Sequence, residues 1–240
     1  MTSANHQSTD TFVISLGGSL VAPAGGPNTE FLAAFKSIIE DHISQGKRFY
    51  IIVGGGNPAR QYQAALRELG ASDKYLDHVG IFATHMNAYY VALAFQFPPE
   101  HKVVLKIEKL RGDANLHITG AGLQPGQSSD TVAVNVATQI GAKTVINLSD
   151  IKQVYSSDPN VDSDAKPLGG LNWDEYISII PDQWQPGLST PFDPVASRLA
   201  SARDIDVIVV GSDLKNFASC IDGDAFLGTI ISNDYDSTKN

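Results

Sequence analysis

Residues 120–130 read Gly120-Ala-Gly-Leu-Gln-Pro-Gly-Gln-Ser-Ser-Asp130 and lead directly into an apolar segment at 131–140. Glycines allow backbone N–H groups to approach an anion closely. Ser128 or Ser129 can cap the following helix, whose first turn carries partial positive charge. The stretch therefore predicts a helix start that fits a phosphate, and an ordinary glycine turn with a capping serine is the alternative interpretation.

Two further glycine turns repeat this design. Gly17-Gly18-Ser19 follows a β-rich segment at 11–16, and Gly54-Gly55-Gly56 follows a continuous apolar segment at 49–53. One glycine is enough for a turn and each extra one costs conformational entropy, so three in a row favour close approach of a ligand to the backbone. Arg60 follows about one helical turn later, where its guanidinium can either bind a phosphate or face solvent.

The chain alternates strands and helices throughout. This pattern predicts an α/β fold with an open, mostly parallel sheet sandwiched by helices on both faces. Ligands of such folds bind at the carboxyl ends of the strands. The predicted strands occupy 11–16, 49–53, 103–107, 116–119, 143–148, 206–210 and 229–232. The predicted helices occupy 29–43, 73–96, 131–141, 173–180 and 214–222, with two more ending near Leu69 and beginning at Pro194.

Composition limits the function classes. The 240 residues carry a net charge of −9 and no basic cluster longer than Lys47-Arg48, which argues against a nucleic-acid partner. The single cysteine, Cys220, excludes an internal disulfide and fits a reducing cytoplasm. The polar N-terminus lacks the features of a signal peptide, and no apolar run is long enough to span a bilayer. We therefore expect a cytoplasmic protein without a membrane partner.

Motif searches exclude several common sites. The chain has neither a Walker A motif nor the GxGxxG fingerprint of dinucleotide-binding folds, and no HExxH, paired cysteines or histidine cluster indicates a tight metal site. We expect disordered polar tails at 1–10 and 233–240 around a single domain at 11–232.

Two further segments each have a functional and a structural interpretation. Asp77 lies near the start of a long helix, where its carboxylate can accept two hydroxyls such as those of a ribose, or can simply face solvent in a favourable first turn. The segment 149–159 carries Tyr155 and Asp158, and it can hold an aromatic base and its sugar or form a surface turn.

Six motifs occur in an order that resembles the amino acid kinase superfamily, and most closely its uridylate (UMP) kinases of the archaeal type. Each motif alone is weak, whereas the six in this order cover nearly the whole chain. They are Leu16-Gly-Gly-Ser19, Val53-Gly-Gly-Gly-Asn-Pro-Ala-Arg60, Asp77-His-Val-Gly80 with Ala83-Thr-His-Met-Asn87, Gln124-Pro-Gly-Gln-Ser-Ser-Asp130, Val154-Tyr-Ser-Ser-Asp-Pro159 and Phe192-Asp-Pro-Val-Ala-Ser-Arg198.

The resemblance implies transfer of the γ-phosphoryl group of ATP to UMP with Mg²⁺, in a homohexamer, with an acceptor part at about 11–142 and an ATP part at about 143–232. It implies catalytic roles for Asp130, Arg60 and Arg198. It implies that UMP is held by Gly55, Asp77, Gly122, Leu123, Gln124, Pro125, Gly126, Gln127 and Ser128. It implies that ATP is held by Gly18, Ser19, Gly56, Arg60, Ser149, Tyr155 and Asp158.

Four residues at three places in the chain depart from the family pattern. Ser15 stands in the first strand where many relatives carry a lysine, although archaeal-type UMP kinases also lack it. Lys152-Gln153 replaces the usual aspartate-glycine pair before the base-binding tyrosine, and Leu123 replaces a threonine. Two alternatives therefore stay open: a non-catalytic relative that binds a nucleotide or oxyanion, and a kinase for another small phosphate or carboxylate acceptor.

Overall fold

The computed structural model describes residues 10–98, 103, 107, 110, 114–121, 125–183, 188 and 190–236. Its strands are β1 Thr11–Leu16, β2 Arg48–Val53, β3 Leu116–Gly120, β4 Thr144–Leu148, β5 Val154–Tyr155, β6 Pro167–Leu168, β7 Gly170–Leu171, β8 Asp206–Val210 and β9 Gly228–Ile231. Its helices are α1 Gly18–Val21, α2 Thr29–Ser44, α3 Gly56–Glu68, α4 Asp73–Ala94, α5 Ser129–Ile140, α6 Trp173–Ile179, α7 Pro194–Ala202 and α8 Leu214–Asp222.

Seven strands form one sheet in the order β3-β2-β1-β4-β8-β9-β7. The first five are mutually parallel, β9 runs antiparallel to β8, and β7 is parallel to β9. In the centre of the sheet Ile14 pairs with Ile51 on one side and with Ile146 on the other. The predicted open, mostly parallel sheet is therefore confirmed. The strands β5 and β6 form a separate small antiparallel pair.

Helices cover both faces of this sheet because alternate residues of each strand point to opposite sides. Ile14 and Leu16 belong to a core layer that also contains buried residues of α2, α4 and α8. Val13 belongs to the opposite layer, together with buried residues of α5, α6 and α7. Burial on both faces explains why the strands read as continuous apolar runs. Among the described residues, no helix is both long and apolar enough to cross a membrane.

Side-chain caps fix the start of five of the described helices, α2, α5, α6, α7 and α8. The Asn28 side chain accepts from Phe31 N at 3.1 Å at the start of α2, and Ser128 Oγ accepts from Thr131 N at 3.1 Å at the start of α5. Asp193 caps α7 in the same way, and Pro194 follows at the first helical position. Of the two capping serines that the sequence allows for α5, Ser128 is the one used.

Most of one predicted strand and part of both predicted tails fall outside the described residues. In the segment 103–107 only positions 103 and 107 are described, and neither is in a strand. Of the predicted tails, positions 10 and 233–236 are described, and there Asn233 Nδ2 donates to Ser201 O at 3.1 Å. The short strands β5, β6 and β7, each two residues long, had no periodicity by which to predict them.

Candidate active site

A cleft of about 420 Å³ lies at the carboxyl ends of β1, β2 and β4. The parallel arrangement places the ends of these strands at one edge of the sheet, so the glycine turns that follow them meet there. The helix α4 packs beside β2 and β3 and against α3, and residues of both helices and of the loop after β4 line the cleft. Ten of the sequence-predicted site residues line it: Gly18, Ser19, Gly55, Gly56, Arg60, Asp77, Gln127, Ser128, Asp130 and Ser149.

The first two glycine turns are in direct backbone contact. A Cβ atom added to Gly18 would lie 2.2 Å from Gly56 N, and one added to Gly56 would lie 2.3 Å from Gly18 O. Gly56 also has a φ of +62°, which favours glycine. The buried amide of Asn87 holds the second turn, since its Nδ2 donates to Gly54 O at 2.9 Å and to Gly55 O at 3.0 Å. The glycines are therefore required for the approach of the two loops.

Arg60 brings a cation to these loops. It lies in the first two turns of α3 and lines the cleft, and its Nη2 donates to Ser19 Oγ at 3.1 Å. The guanidinium thus bridges the α3 helix and the first glycine turn. Its remaining N–H groups match the oxygens of a phosphate.

Two carboxylates meet in the centre of the cleft. Asp130 accepts from Ser15 Oγ at 2.9 Å through Oδ1 and from Asp193 N at 3.2 Å through Oδ2. The Asp193 carboxylate accepts from Val195 N at 2.7 Å and Ala196 N at 3.0 Å through Oδ1, and its Oδ2 accepts from Ser128 Oγ. Asp193 therefore connects the start of α5 to the start of α7.

Burial, together with the nearby charge of Asp193, changes the ionisation of Asp130. Burial, followed by the negative charge of Asp193, raises the pKa of Asp130 to about 7, while the bonds donated by Ser15 Oγ and Asp193 N oppose the shift. A divalent cation between the carboxylates and a phosphate would neutralise this charge. Carboxylate and hydroxyl oxygens are the ligands that Mg²⁺ prefers, so the donor set fits that ion.

Asp77 and Gln63 shape the end of the cleft between α3 and α4. Asp77 is only 7% exposed, and one of its carboxylate oxygens accepts from Gly126 N. Burial raises the pKa of Asp77, and the Gly126 hydrogen bond and the His78 charge partly oppose this shift. Gln63 Nε2 donates to Leu76 O at 3.0 Å, directly before Asp77. The alternative interpretation of Asp77, as a first-turn residue that faces solvent, is therefore wrong.

Several predicted site residues do not line the cleft. Arg198 faces away, with its Nη1 donating to Asp182 O at 3.0 Å and to Pro194 O at 3.2 Å. Asp158 Oδ1 accepts from Asn160 N at 2.9 Å in an exposed turn, and Tyr155 lies half-buried in β5. Pro125 and Gly126 lie beside the cleft rather than in its lining, whereas Gly122, Leu123 and Gln124 fall outside the described residues. Roles for these residues stay predictions.

The structure describes the surroundings of Ser15 and Lys152, two of the residues that depart from the family pattern. Ser15 is buried and bonded to Asp130, so a hydroxyl occupies the position where a lysine is usual. Lys152 is exposed and packs against Gly211, where an added Cβ would lie 2.9 Å from the Lys152 Cα. On the side facing β1, the buried carboxylate of Asp130 is therefore hydrogen-bonded by a neutral hydroxyl group and not paired with a cation.

Sequence reasoning did not select Asp193, Asn87 or Gln63. The Asp-Pro step at 193–194 is a helix-start signal that could have drawn attention to Asp193. Gln63 lies inside α3 without any local signal. Asn87 closes the third motif, but its role was not predicted, because its partners Gly54 and Gly55 are brought to it only by the packing of α4 against the second glycine turn.

Comparisons with known proteins agree with this geometry. The model of the amino acid kinase family matches residues 10–211. A uridylate kinase of Thermoplasma volcanium is 33% identical over 92% of this chain and 97% of its own, and one of Methanocaldococcus jannaschii is 33% identical over 91% and 98%. The crystal structure of uridylate kinase from Archaeoglobus fulgidus superposes with a TM-score of 0.77 at 30% identity, covering 92% of this chain and 99% of its own. The chain therefore belongs to the amino acid kinase family.

Proposed function

We propose that this protein is a UMP kinase, which transfers the γ-phosphoryl group of ATP to UMP and gives UDP and ADP for pyrimidine nucleotide biosynthesis. The observation that carries the proposal is the meeting of two glycine loops, Arg60 and the Asp130–Asp193 pair in one cleft. This equipment suits phosphoryl transfer, which depends on positioning and charge neutralisation rather than on a covalent intermediate. Uridylate kinases similar over nine-tenths of the chain support the choice of acceptor.

The two substrates would occupy opposite ends of the cleft. In the proposed arrangement Asp77 and Gly55, with the loop 122–128, hold UMP. Ser149 in the cleft lining, with Tyr155 and Asp158 outside it, would hold the base and ribose of ATP. Gly18, Ser19, Gly56 and Arg60 then surround the phosphates between them. A phosphate oxygen of UMP attacks the γ-phosphorus as the bond to the β-phosphate oxygen of ADP breaks.

Asp130 and Asp193 would hold Mg²⁺ together with the phosphates. Among the described residues, no group of three or more histidine, cysteine or acidic side chains is placed to hold a metal ion. Mg²⁺ commonly uses one or two carboxylates and completes its shell with phosphates and water. When bound, it would neutralise charge on the transferring group. Arg198 stays a proposed further cation for the transfer by family resemblance alone, and it would have to leave Asp182 to reach the phosphates.

Measurement of ADP release from ATP and Mg²⁺ tests this proposal, with UMP, CMP, dUMP, AMP or no acceptor. We expect rapid release that depends on UMP. ATP binding without turnover on any acceptor would instead support the non-catalytic interpretation, and turnover on a different phosphate or carboxylate acceptor would support another kinase of the family.

Replacing Asp77 by Asn should lower kcat/KM for UMP by about 10- to 100-fold, mainly through KM. The amide removes one of the two oxygens that can accept ribose hydroxyls and presents N–H donors in its place. Steady-state kinetics with UMP varied at saturating ATP measure the effect. The exposed Asp73 in the first turn of the same helix offers a control, since Asp73→Asn should change neither parameter. Unchanged UMP kinetics in the Asp77 variant would remove Asp77 from the acceptor site.

We also propose that the protein is a homo-oligomer, a hexamer by resemblance to its family. The face of α4 opposite the sheet carries an exposed apolar stripe, defined by Tyr75, Phe82, Met86, Tyr89 and Leu93. These side chains follow helical spacing over about 27 Å of α4. A contiguous apolar surface of this length marks a protein–protein contact, and an isologous pairing of two stripes would cover both.

Introducing a charge into this stripe should break the contact. Phe82 lies near the centre of the stripe and is 70% exposed. We expect Phe82→Glu to reduce the mass of the oligomer to half, or to that of a monomer. Light scattering after size-exclusion chromatography measures the mass. Leu227→Glu provides a matched control, because Leu227 is 52% exposed on a different surface. An unchanged mass for the Phe82 variant would exclude the stripe as the contact.

The proposed cellular setting is the cytoplasm. The one cysteine, Cys220, is buried and free. Free thiols without disulfides are typical of reducing compartments, where ATP and UMP are also available. The net charge of −9 supports small-molecule substrates rather than nucleic acid as partners.

A further inference from the structure

Gln63 places a buried amide at the UMP end of the cleft. It lies three residues after Arg60 on α3, so the two side chains share a helix face, with Gln63 further from the glycine loops. Its side chain is 8% exposed and lines the cleft together with Arg60 and Asp77. Nε2 donates to the carbonyl oxygen of Leu76 at 3.0 Å, which ties the amide to the residue before Asp77.

The orientation of this amide is fixed by its surroundings. A Cβ atom added to Gly80 would lie 2.7 Å from Gln63 Nε2, so the nitrogen packs closely against the α4 backbone. Rotation of the amide by half a turn would place Oε1 against the Leu76 carbonyl oxygen, and two acceptors would then face each other without a proton. The nitrogen therefore stays on the α4 side, and Oε1 is the end that can serve a ligand.

Groups suited to each part of a nucleotide line this cleft. Arg60 and the glycine loops provide positive groups for the phosphate, Asp77 provides acceptors for the ribose hydroxyls, and Gln63 lies about one turn beyond Arg60 on α3, bonded to the residue before Asp77. We infer that Gln63 is a specificity-determining residue whose Oε1 accepts the N3–H group of the acceptor base, so that the site selects uracil over cytosine. This inference rests on the proposed function.

The chemistry of the two bases explains the selection. N3 of uracil carries a proton and can donate to an acceptor, whereas N3 of cytosine carries a lone pair. With cytosine bound in the same position, two acceptors would oppose each other, and the amide cannot rotate without losing Leu76 O. A fixed polar group that is left unpaired by the wrong ligand discriminates more strongly than an apolar pocket does.

The ratio of kcat/KM for UMP to kcat/KM for CMP measures this role. We expect the wild-type protein to prefer UMP, and Gln63→Leu to reduce the ratio by about 10-fold or more, chiefly by raising KM for UMP. Gln63→Met, an unbranched side chain that also suits a helix, should behave in the same way. Gln61→Leu is the matched control, since Gln61 is exposed on the same helix and should leave the ratio unchanged.

The outcomes separate this inference from the proposed function. Equal losses with UMP and CMP, leaving the ratio unchanged in both Gln63 variants, would show a purely structural role and overturn the inference. If the wild-type protein releases no ADP with UMP, the proposed function fails, and the same comparison is made with dissociation constants for UMP and CMP. Equal ratios of those constants in wild type and Gln63→Leu would then overturn the inference on its own.

Discussion

Replacing Asp130 by Asn should lower kcat by about 100- to 1,000-fold and leave the protein folded. The amide fits the same place, because its oxygen can accept from Asp193 N while its nitrogen donates to the Ser15 hydroxyl, which can also act as an acceptor. What is lost is one of the two charges proposed to hold Mg²⁺ beside the phosphates. Single-turnover ADP formation at saturating ATP, UMP and Mg²⁺ measures the chemical step.

The same variant should be more stable than the wild-type protein at neutral pH. Burial and the Asp193 charge raise the pKa of the Asp130 carboxyl to about 7, above the value near 4 that it has in the unfolded chain. Between these values the folded protein binds more protons than the unfolded chain, so this group lowers the free energy of unfolding as pH rises from about 4 to 7. The asparagine side chain of the variant has no such titration. The advantage of the variant should therefore grow across that window and become constant above it.

Urea unfolding of the metal-free proteins at several pH values tests this second effect. Asp174→Asn, at an exposed position also in the first turn of a helix, supplies the control for the substitution of aspartate by asparagine itself. A variant of Asp130 that keeps full activity would contradict the proposed site. One that loses both activity and stability at pH 7 would contradict the assignment of a buried, charge-repelled carboxyl.

Replacing Gly18 by Ala should disrupt the site through a steric clash between the new methyl group and the backbone of the second glycine turn. Its Cβ would meet Gly56 N at 2.2 Å and the carbonyl group of Gly54 at 2.5 Å, and both are backbone atoms that a side-chain movement cannot clear. Overpacking of this kind costs about 1–3 kcal/mol of unfolding free energy. The two glycine loops must also separate, so we expect kcat/KM for ATP and for UMP to fall together in Gly18→Ala.

Gly25→Ala is the matched control for this prediction. An added Cβ at Gly25 would meet nothing within 4 Å, and its backbone is not in the left-handed region. Alanine at such a site changes stability by about 1 kcal/mol or less, often favourably, because it restricts the unfolded chain. Urea unfolding and steady-state kinetics on both variants provide the comparison. Equal stability and activity of the two variants would mean that the loops do not need their close approach.

The family resemblance indicated the class of reaction, but not all of the side chains that it indicated line the cleft. It directed attention to Asp130 and Arg60, which lie in the cleft, and to Arg198, which bonds to Asp182 outside it. It overlooked Asp193, although that residue is part of the same motif as Arg198. The reason is that a motif fixes the order of residues along α7 but not the direction in which each side chain points.

Local sequence patterns predicted the long strands and helices and the edge of the sheet at which the site lies. Apolar runs of strand length, helical spacing and glycines at strand ends are local patterns, and parallel strands bring their carboxyl ends to one edge. The hydrogen-bond partners of the site residues follow from the packing of distant segments. Asp130 meets Asp193 at a separation of 63 residues and Ser15 at 115, and Gln63 is oriented by a carbonyl of the next helix. Such contacts depend on how the helices pack on the sheet, which no local pattern specifies.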